Sequence, residues 1–275
     1  MTNRVNLVAD GRTREYLIFQ PENDTEDLLP VIVSLHGTLG SAAQMMSFAD
    51  FRPLAEKEPF FIVCPEGITQ TWNDGRATKA NLAGVDDVAF ISELIDHLIA
   101  TYPIDTRRVY ITGMSNGGFM ASRLACEIPE KITAMAAVAA TLDRNAAIHQ
   151  MTPLPVLYIH GTRDPMVPYN GGPTKAAGGD VYSHQQMIDI WVNVNACDSR
   201  STQEITDHAK DSTTVTAKIY TSSLNKMQVC SYTINNGGHT WPNGPQYADK
   251  HFIGLVSHNL DACLTIWNFF RRFSR

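Results

Sequence analysis

The chain has 275 residues, 44% of them hydrophobic, enough for one large core of the size that α/β folds reach as one domain. A formal net charge of −6, with the basic residues scattered, argues against a nucleic-acid-binding surface. No apolar run approaches the roughly 20 residues needed to span a bilayer.

Residues 1–4 lead into mixed polar sequence rather than the apolar core of a signal peptide. The residues therefore allow either a cytoplasmic protein or a chain that begins after a removed signal. Residues 3–8 and 14–20 read as two strands around the turn Ala9-Asp10-Gly11-Arg12, and acidic residues 22–27 as a loop. Pro30 opens a buried central strand over 31–35, which ends at His36-Gly37-Thr38-Leu39-Gly40-Ser41. A glycine-containing loop there suits backbone donors for acyl transfer; taken alone it is equally an ordinary turn between strand and helix. Residues 60–64 form the next strand. Residues 68–83 have no periodicity, and a loop of that length is often functional. It holds Trp72, Asn73 and Asp74. Trp72 either walls a site for an aromatic or sugar group or packs over the core.

Asp86 and Asp87 precede residues 88–100, whose apolar positions recur at helical spacing. The two acids suit a helix N-terminus. Residues 108–112 form a strand and 117–127 a helix, with Gly113-Met114-Ser115-Asn116-Gly117 between them. Strand, sharp turn and helix are the setting of a nucleophile elbow, with Ser115 as the nucleophile. Strands follow at 133–140 and 155–159, a helix at 181–195, and a hairpin at 214–221 and 227–234. Residues 171–180 are glycine-rich but lack the context of a phosphate loop. An amphipathic helix at 259–272 turns Leu260, Leu264, Trp267 and Phe270 inward. With no repeat or linker, residues 1–275 read as a single α/β catalytic domain, its mostly parallel sheet flanked by helices. Ligands then bind at the carboxyl ends of the strands.

A serine hydroxyl needs a base to take its proton and a carboxylate to orient that base. On an α/β-hydrolase scaffold these follow in the order serine, acid, histidine. Asp164 fits the acid: it follows the strand 155–159 by a short His-Gly-Thr-Arg turn. Asp143 is the rival, while Asp180, Asp198, Asp207 and Asp211 lie in surface-like sequence. His239 fits the base, standing after the strand 227–234 behind two glycines. His184 falls in a helix and His208 in a polar stretch; His251 and His258 are its rivals. The oxyanion hole is assigned to the backbone N–H groups of Asn116 and Thr38. His-Glu-x-x-His and Cys-x-x-Cys are absent, and no dinucleotide fingerprint follows the first strands. His36, His160 and His239 all follow strands, but the serine elbow explains more than a metal cluster. No metal or cofactor is expected.

Five cysteines are present. Cys64 and Cys126 read as buried thiols. Cys197 and Cys230 lie in more polar surroundings, and the residues alone leave their pairing open.

Six segments occur in this order: Leu35-His36-Gly37-Thr38, Trp72-Asn73-Asp74-Gly75, Val85-Asp86-Asp87-Val88-Ala89-Phe90-Ile91, Gly113-Met114-Ser115-Asn116-Gly117-Gly118, His160-Gly161-Thr162-Arg163-Asp164 and Gly237-Gly238-His239-Thr240-Trp241-Pro242. Together they resemble the polyhydroxybutyrate-depolymerase-like esterases, which include the feruloyl and acetylxylan esterases of carbohydrate esterase family 1. The resemblance spans residues 5–273. It implies an α/β-hydrolase fold with Ser115, Asp164 and His239 as triad, and a secreted or periplasmic location rather than a cytoplasmic one. It favours a Cys197–Cys230 disulfide and sets Trp241 along the acyl or alcohol site. With Trp241, Trp72 and Phe119 taken as receiving an aromatic acyl group, the expected activity is that of a feruloyl-type esterase on small or oligomeric esters. A polyhydroxyalkanoate depolymerase and an acetylxylan esterase are the alternatives within the family. A serine peptidase and a non-catalytic carbohydrate-binding relative are the alternatives outside it.

Overall fold

The computed structural model describes residues 1–22, 27–146, 148, 151–175, 177–205 and 208–275. Most of the expected acidic loop at 22–27, and Asp207, lie outside the described residues. The strands are β1 (Thr2–Ala9), β2 (Arg12–Phe19), β3 (Leu29–Leu35), β4 (Phe61–Pro65), β5 (Ile104–Met114), β6 (Ala134–Val138), β7 (Val156–Gly161), β8 (Gly172–Pro173), β9 (Asp180–Val181), β10 (Ser199–Ile205), β11 (Thr214–Thr221) and β12 (Gln228–Asn235). Ten of them form one sheet in the order β1-β2-β4-β3-β5-β6-β7-β12-β11-β10. The inner run from β4 to β12 is parallel, and antiparallel strands close both ends.

Every residue of β3, β4, β6 and β7 is buried, as continuous apolar strands covered on both faces should be. Alternation sorts their side chains. Val31, Val33 and Leu35 join one core cluster, and Ile32 joins the other. The first cluster is covered by α4 (Asp87–Thr101), α5 (Asn116–Glu127) and α6 (His184–Val194). The second lies under α1 (Ala42–Phe48), α2 (Arg52–Ala55) and α8 (Ala262–Phe270). Two short helices, α3 (Lys79–Leu82) and α7 (Lys250–Ile253), lie in loops.

The acid pair before α4 divides its work. The Asp86 carboxylate caps the helix by accepting the Ala89 N–H. The buried Asp87 carboxylate pairs with Arg14 at 2.7 Å and accepts the Asn73 N–H at 2.7 Å, tying the long loop to the sheet.

Several expectations change. β10 has no hydrophobic signature, because six of its seven residues are exposed at the sheet edge. The helix expected from residue 181 starts at His184, since Val181 pairs in β9 and Ser183 with Gln186 forms a capping box. Leu264 is outward at 43% exposure, and Ile266 and Phe269 take the inward places of α8.

The Cys197–Cys230 disulfide is also corrected: both cysteines are free thiols. Cys230 points into the cluster under α8, whereas Cys197 packs against the cluster under α6. The neighbour of Cys197 on β12 is the backbone of Val229, one residue away from the pairing required. A one-residue offset in a strand reverses the face of the side chain. The internal argument for export from that pair falls with it.

Candidate active site

Ser115 follows β5 and caps α5 with φ 54° and ψ −124°, a left-handed conformation that costs a non-glycine residue about 1–3 kcal/mol. The surroundings hold it there. The Ser115 N–H donates to Val138 O at 2.9 Å, and Ser115 O accepts the Phe119 N–H at 2.9 Å. The glycines around it are packing requirements. A Cβ on Gly113 would lie 2.5 Å from the Gly117 carbonyl, and one on Gly117 only 2.1 Å from Leu35 O. Gly117→Ala is therefore expected to destabilise the protein by more than about 2 kcal/mol, checked by urea unfolding. Wild-type stability in that variant would contradict the tight crossing of β3 and α5.

Asn116 opens α5, where the first N–H groups of a helix have no partner within it. Its side chain is fully committed. Oδ1 accepts the Trp72 N–H at 2.7 Å, while Nδ2 donates to Trp72 O at 3.0 Å and to Asp74 Oδ2 at 2.6 Å. The Trp-Asn-Asp segment thus braces the elbow. Across from it, Leu39 and Gly40 donate their N–H groups to Gln70 O and Gly37 O, and Thr38 lies beside Ser115 in the same cavity.

Adjacent parallel strands β7 and β12 bring their loops together. Gly161, Gly237 and Gly238 allow the close approach: a Cβ on Gly161 would sit 2.4 Å from Gly237 O, and one on Gly238 2.1 Å from Ile253 O. There His239 Nδ1 donates to Asp164 Oδ2 at 2.7 Å. The other carboxylate oxygen, Oδ1, accepts the N–H groups of Met166 and Val167, both at 2.8 Å. Burial alone would raise the Asp164 pKa. The charge of His239 and the hydrogen bonds from His160 and His239 outweigh it and hold the carboxyl well below the usual carboxylate range.

The rivals are elsewhere. Asp143 accepts the Asn145 N–H in a turn, and Asp180 pairs with Arg144 at the surface. His184 is buried against Ser231, while His208, His251 and His258 are exposed. His36 is a structural staple: its Nε2 accepts the Gly67 N–H at 2.9 Å and its Nδ1 donates to Gly37 O at 2.8 Å. Desolvation lowers its pKa, which favours this neutral form.

Ser115 and His239 open into one cavity of about 680 Å³ with mostly apolar walls, among them Leu39, Phe48, Met166 and Tyr247. Trp72, Trp241 and Phe119 do not line it. They are 0%, 1% and 0% exposed, which corrects the expectation that they touch substrate. Trp72 donates its indole N–H to His36 O, Trp241 packs edge-on to Phe48 and Phe51, and Phe119 is covered by the Arg76 guanidinium. Two residues with no role in the expected triad also belong to the site: His160, whose Nε2 lies 3.4 Å from Asp164 Oδ2, and Arg76, which reaches the cavity. Position near the acid was the available signal for His160; Arg76 stood two residues beyond Asp74.

The chain is 28% identical over 282 residues to NocK, a protein of Nocardia uniformis subsp. tsuyamanensis named as an esterase, covering 98% of this chain and 82% of that one. It is 25% identical over 243 residues to feruloyl esterase B of Piromyces equi, covering 84% of this chain but only 43% of that relative. Among solved structures, an acetyl xylan esterase from Aspergillus awamori superposes with a TM-score of 0.62 at 16% identity, over 87% of this chain and 94% of that one. That likeness supports the α/β-hydrolase fold. The profile of the phospholipase/carboxylesterase family matches residues 20–177, more than half of the chain and inclusive of Ser115 and Asp164. The chain belongs to the phospholipase/carboxylesterase family and is a carboxylic ester hydrolase.

Proposed function

We propose that Ser115, His239 and Asp164 are the nucleophile, base and orienting carboxylate of this hydrolase, and that its substrates are feruloyl-type esters. The hydrogen bond of 2.7 Å from His239 Nδ1 to Asp164 carries the catalytic reading. With Nδ1 holding its proton there, Nε2 of the neutral ring is the acceptor. It takes the proton of Ser115 as Oγ attacks the ester carbonyl. The tetrahedral oxyanion is received by the N–H groups of Asn116 and Thr38. His239 then protonates the leaving alcohol, and the acyl group stays on Ser115. Water, deprotonated by the same nitrogen, hydrolyses the acyl-enzyme.

Support for an aromatic acyl group comes from the relatives named feruloyl esterase and from Phe48 and Tyr247 in the cavity wall. The test is a comparison of kcat/KM on methyl ferulate, acetylated xylan and hydroxybutyrate oligomers. Methyl ferulate should rank first; a higher value on either of the others would replace this reading with the corresponding one. Because Thr38 acts through its backbone, Thr38→Ala should change kcat by less than about threefold, against the hundredfold or more typical of losing an oxyanion donor. A hundredfold loss would assign the role to its side chain.

A further inference from the structure

Arg76 is an unusual wall for this cavity. It is 5% exposed, and among the described lining residues it is the one guanidinium or ammonium, with no carboxylate beside it in the lining. Its hydrogen bonds are unevenly spent. Nε and Nη2 both donate to the buried Asp74 carboxylate, the shorter at 2.5 Å. The guanidinium carbon stacks 3.6 Å from the centre of the Phe119 ring, and Gly179 leaves the aliphatic stem just enough room. Nη1 is different. Among the described residues its partner is Thr174 Oγ1 at 3.4 Å, well beyond an ordinary N–H···O distance. Thr174 gives its own hydroxyl proton to Gly178 O at 2.5 Å, so it faces Arg76 as an acceptor only.

The result is a rigid donor with unused capacity at the edge of a mostly apolar space. Asp74 fixes the fork, Phe119 fixes the plane, and neither can turn Nη1 away. Asp74 also balances the charge, so the group selects for an oxygen acceptor rather than for an anion as such. A ligand that fills the cavity without bringing an acceptor strips water from Nη1 and leaves a guanidinium N–H unpaired. That penalty discriminates far more strongly than a change in apolar bulk.

We infer that Arg76 Nη1, with Thr174 beside it, forms a specificity subsite for an oxygen acceptor carried by the acyl group away from the scissile carbonyl. This rests on the esterase reading of the same cavity. Two sources share the chemistry: the ring hydroxyl or methoxy of an aromatic acid, and the second ester carbonyl of a hydroxyalkanoate dimer.

The experiment measures kcat/KM on two matched pairs. One is methyl ferulate against methyl cinnamate, and the other is the methyl ester of the 3-hydroxybutyrate dimer against a methyl alkanoate of equal length. The wild type should prefer the oxygenated member of at least one pair by about tenfold or more. In Arg76→Lys, which keeps a cation for Asp74 but lacks the second amino group, and in Arg76→Met, that ratio should fall to within about threefold of one. Melting temperature checks that both variants fold. A wild-type ratio near one in both pairs, or an unchanged ratio in the variants, overturns the subsite. Preference confined to the hydroxybutyrate pair upholds the subsite and removes the feruloyl reading. Should the variants fail to fold, the wild-type complex with the preferred acid decides. An acceptor oxygen within about 3.2 Å of Nη1 upholds the subsite, and oxygens directed elsewhere overturn it.

Discussion

Ser115→Ala is expected to hydrolyse p-nitrophenyl acetate at least about 10⁵-fold more slowly than the wild type while keeping its melting temperature. The loss is that large because the bond-forming atom is gone; only binding and oxyanion stabilisation remain, and the other triad members cannot act without it. Stability should not suffer, because Ser115 sits at φ 54° and alanine inherits the same strained backbone. Ser115→Gly carries the argument further. It should be equally inactive yet more stable than Ser115→Ala by about 1 kcal/mol, since glycine adopts this conformation without the steric cost. Steady-state assays and urea melts on the two variants separate chemistry from strain. Residual turnover above about one per cent of wild type would point to a different nucleophile.

Asp164→Asn should lower kcat by about 10⁴-fold with little change in fold. Asparagine offers an amide where His239 Nδ1–H needs an acceptor, so the ring is held in the wrong tautomer or turned away. The pH dependence of stability supplies a second readout. The Asp164 carboxyl is held below its ordinary range in the fold, so it binds a proton more readily when unfolded. Its contribution is then fully present above the unfolded value, about pH 3.9, and is lost as pH falls through the lower folded value. The stability advantage that this carboxylate gives the wild type over Asp164→Asn should therefore shrink as pH falls below about 4. No change below about pH 4 would mean that the carboxyl is not held low by the partners drawn here.

Much of this architecture is legible in the residues. The buried strands β3, β4, β6 and β7 are mainly apolar runs, and α4 shows both its cap and its stripe. The order of Ser115, Asp164 and His239 suffices to choose them, because β5, β7 and β12 are parallel and deliver their loops to one end of the sheet. What is not legible depends on which way a side chain faces. Trp72, Phe119 and Trp241 have the chemistry of a binding site and stand beside it in sequence, but all three point into the core. Arg76 covers one of them, and the half-buried Phe48, which no motif marks, takes the cavity-lining place before another. Cys197 and Cys230 fail to meet for the same reason, one residue of register deciding the face. β10 carries no pattern because an exposed edge strand has no core to report.

The most direct test of the serine mechanism is covalent trapping. The wild-type protein is treated with a fluorophosphonate, digested, and the adduct is located by mass spectrometry. A single adduct is expected on Ser115, formed in step with loss of esterase activity and greatly slowed in Asp164→Asn. An adduct on any other residue that tracks inactivation, or full inactivation with Ser115 unmodified, would contradict Ser115 as the nucleophile.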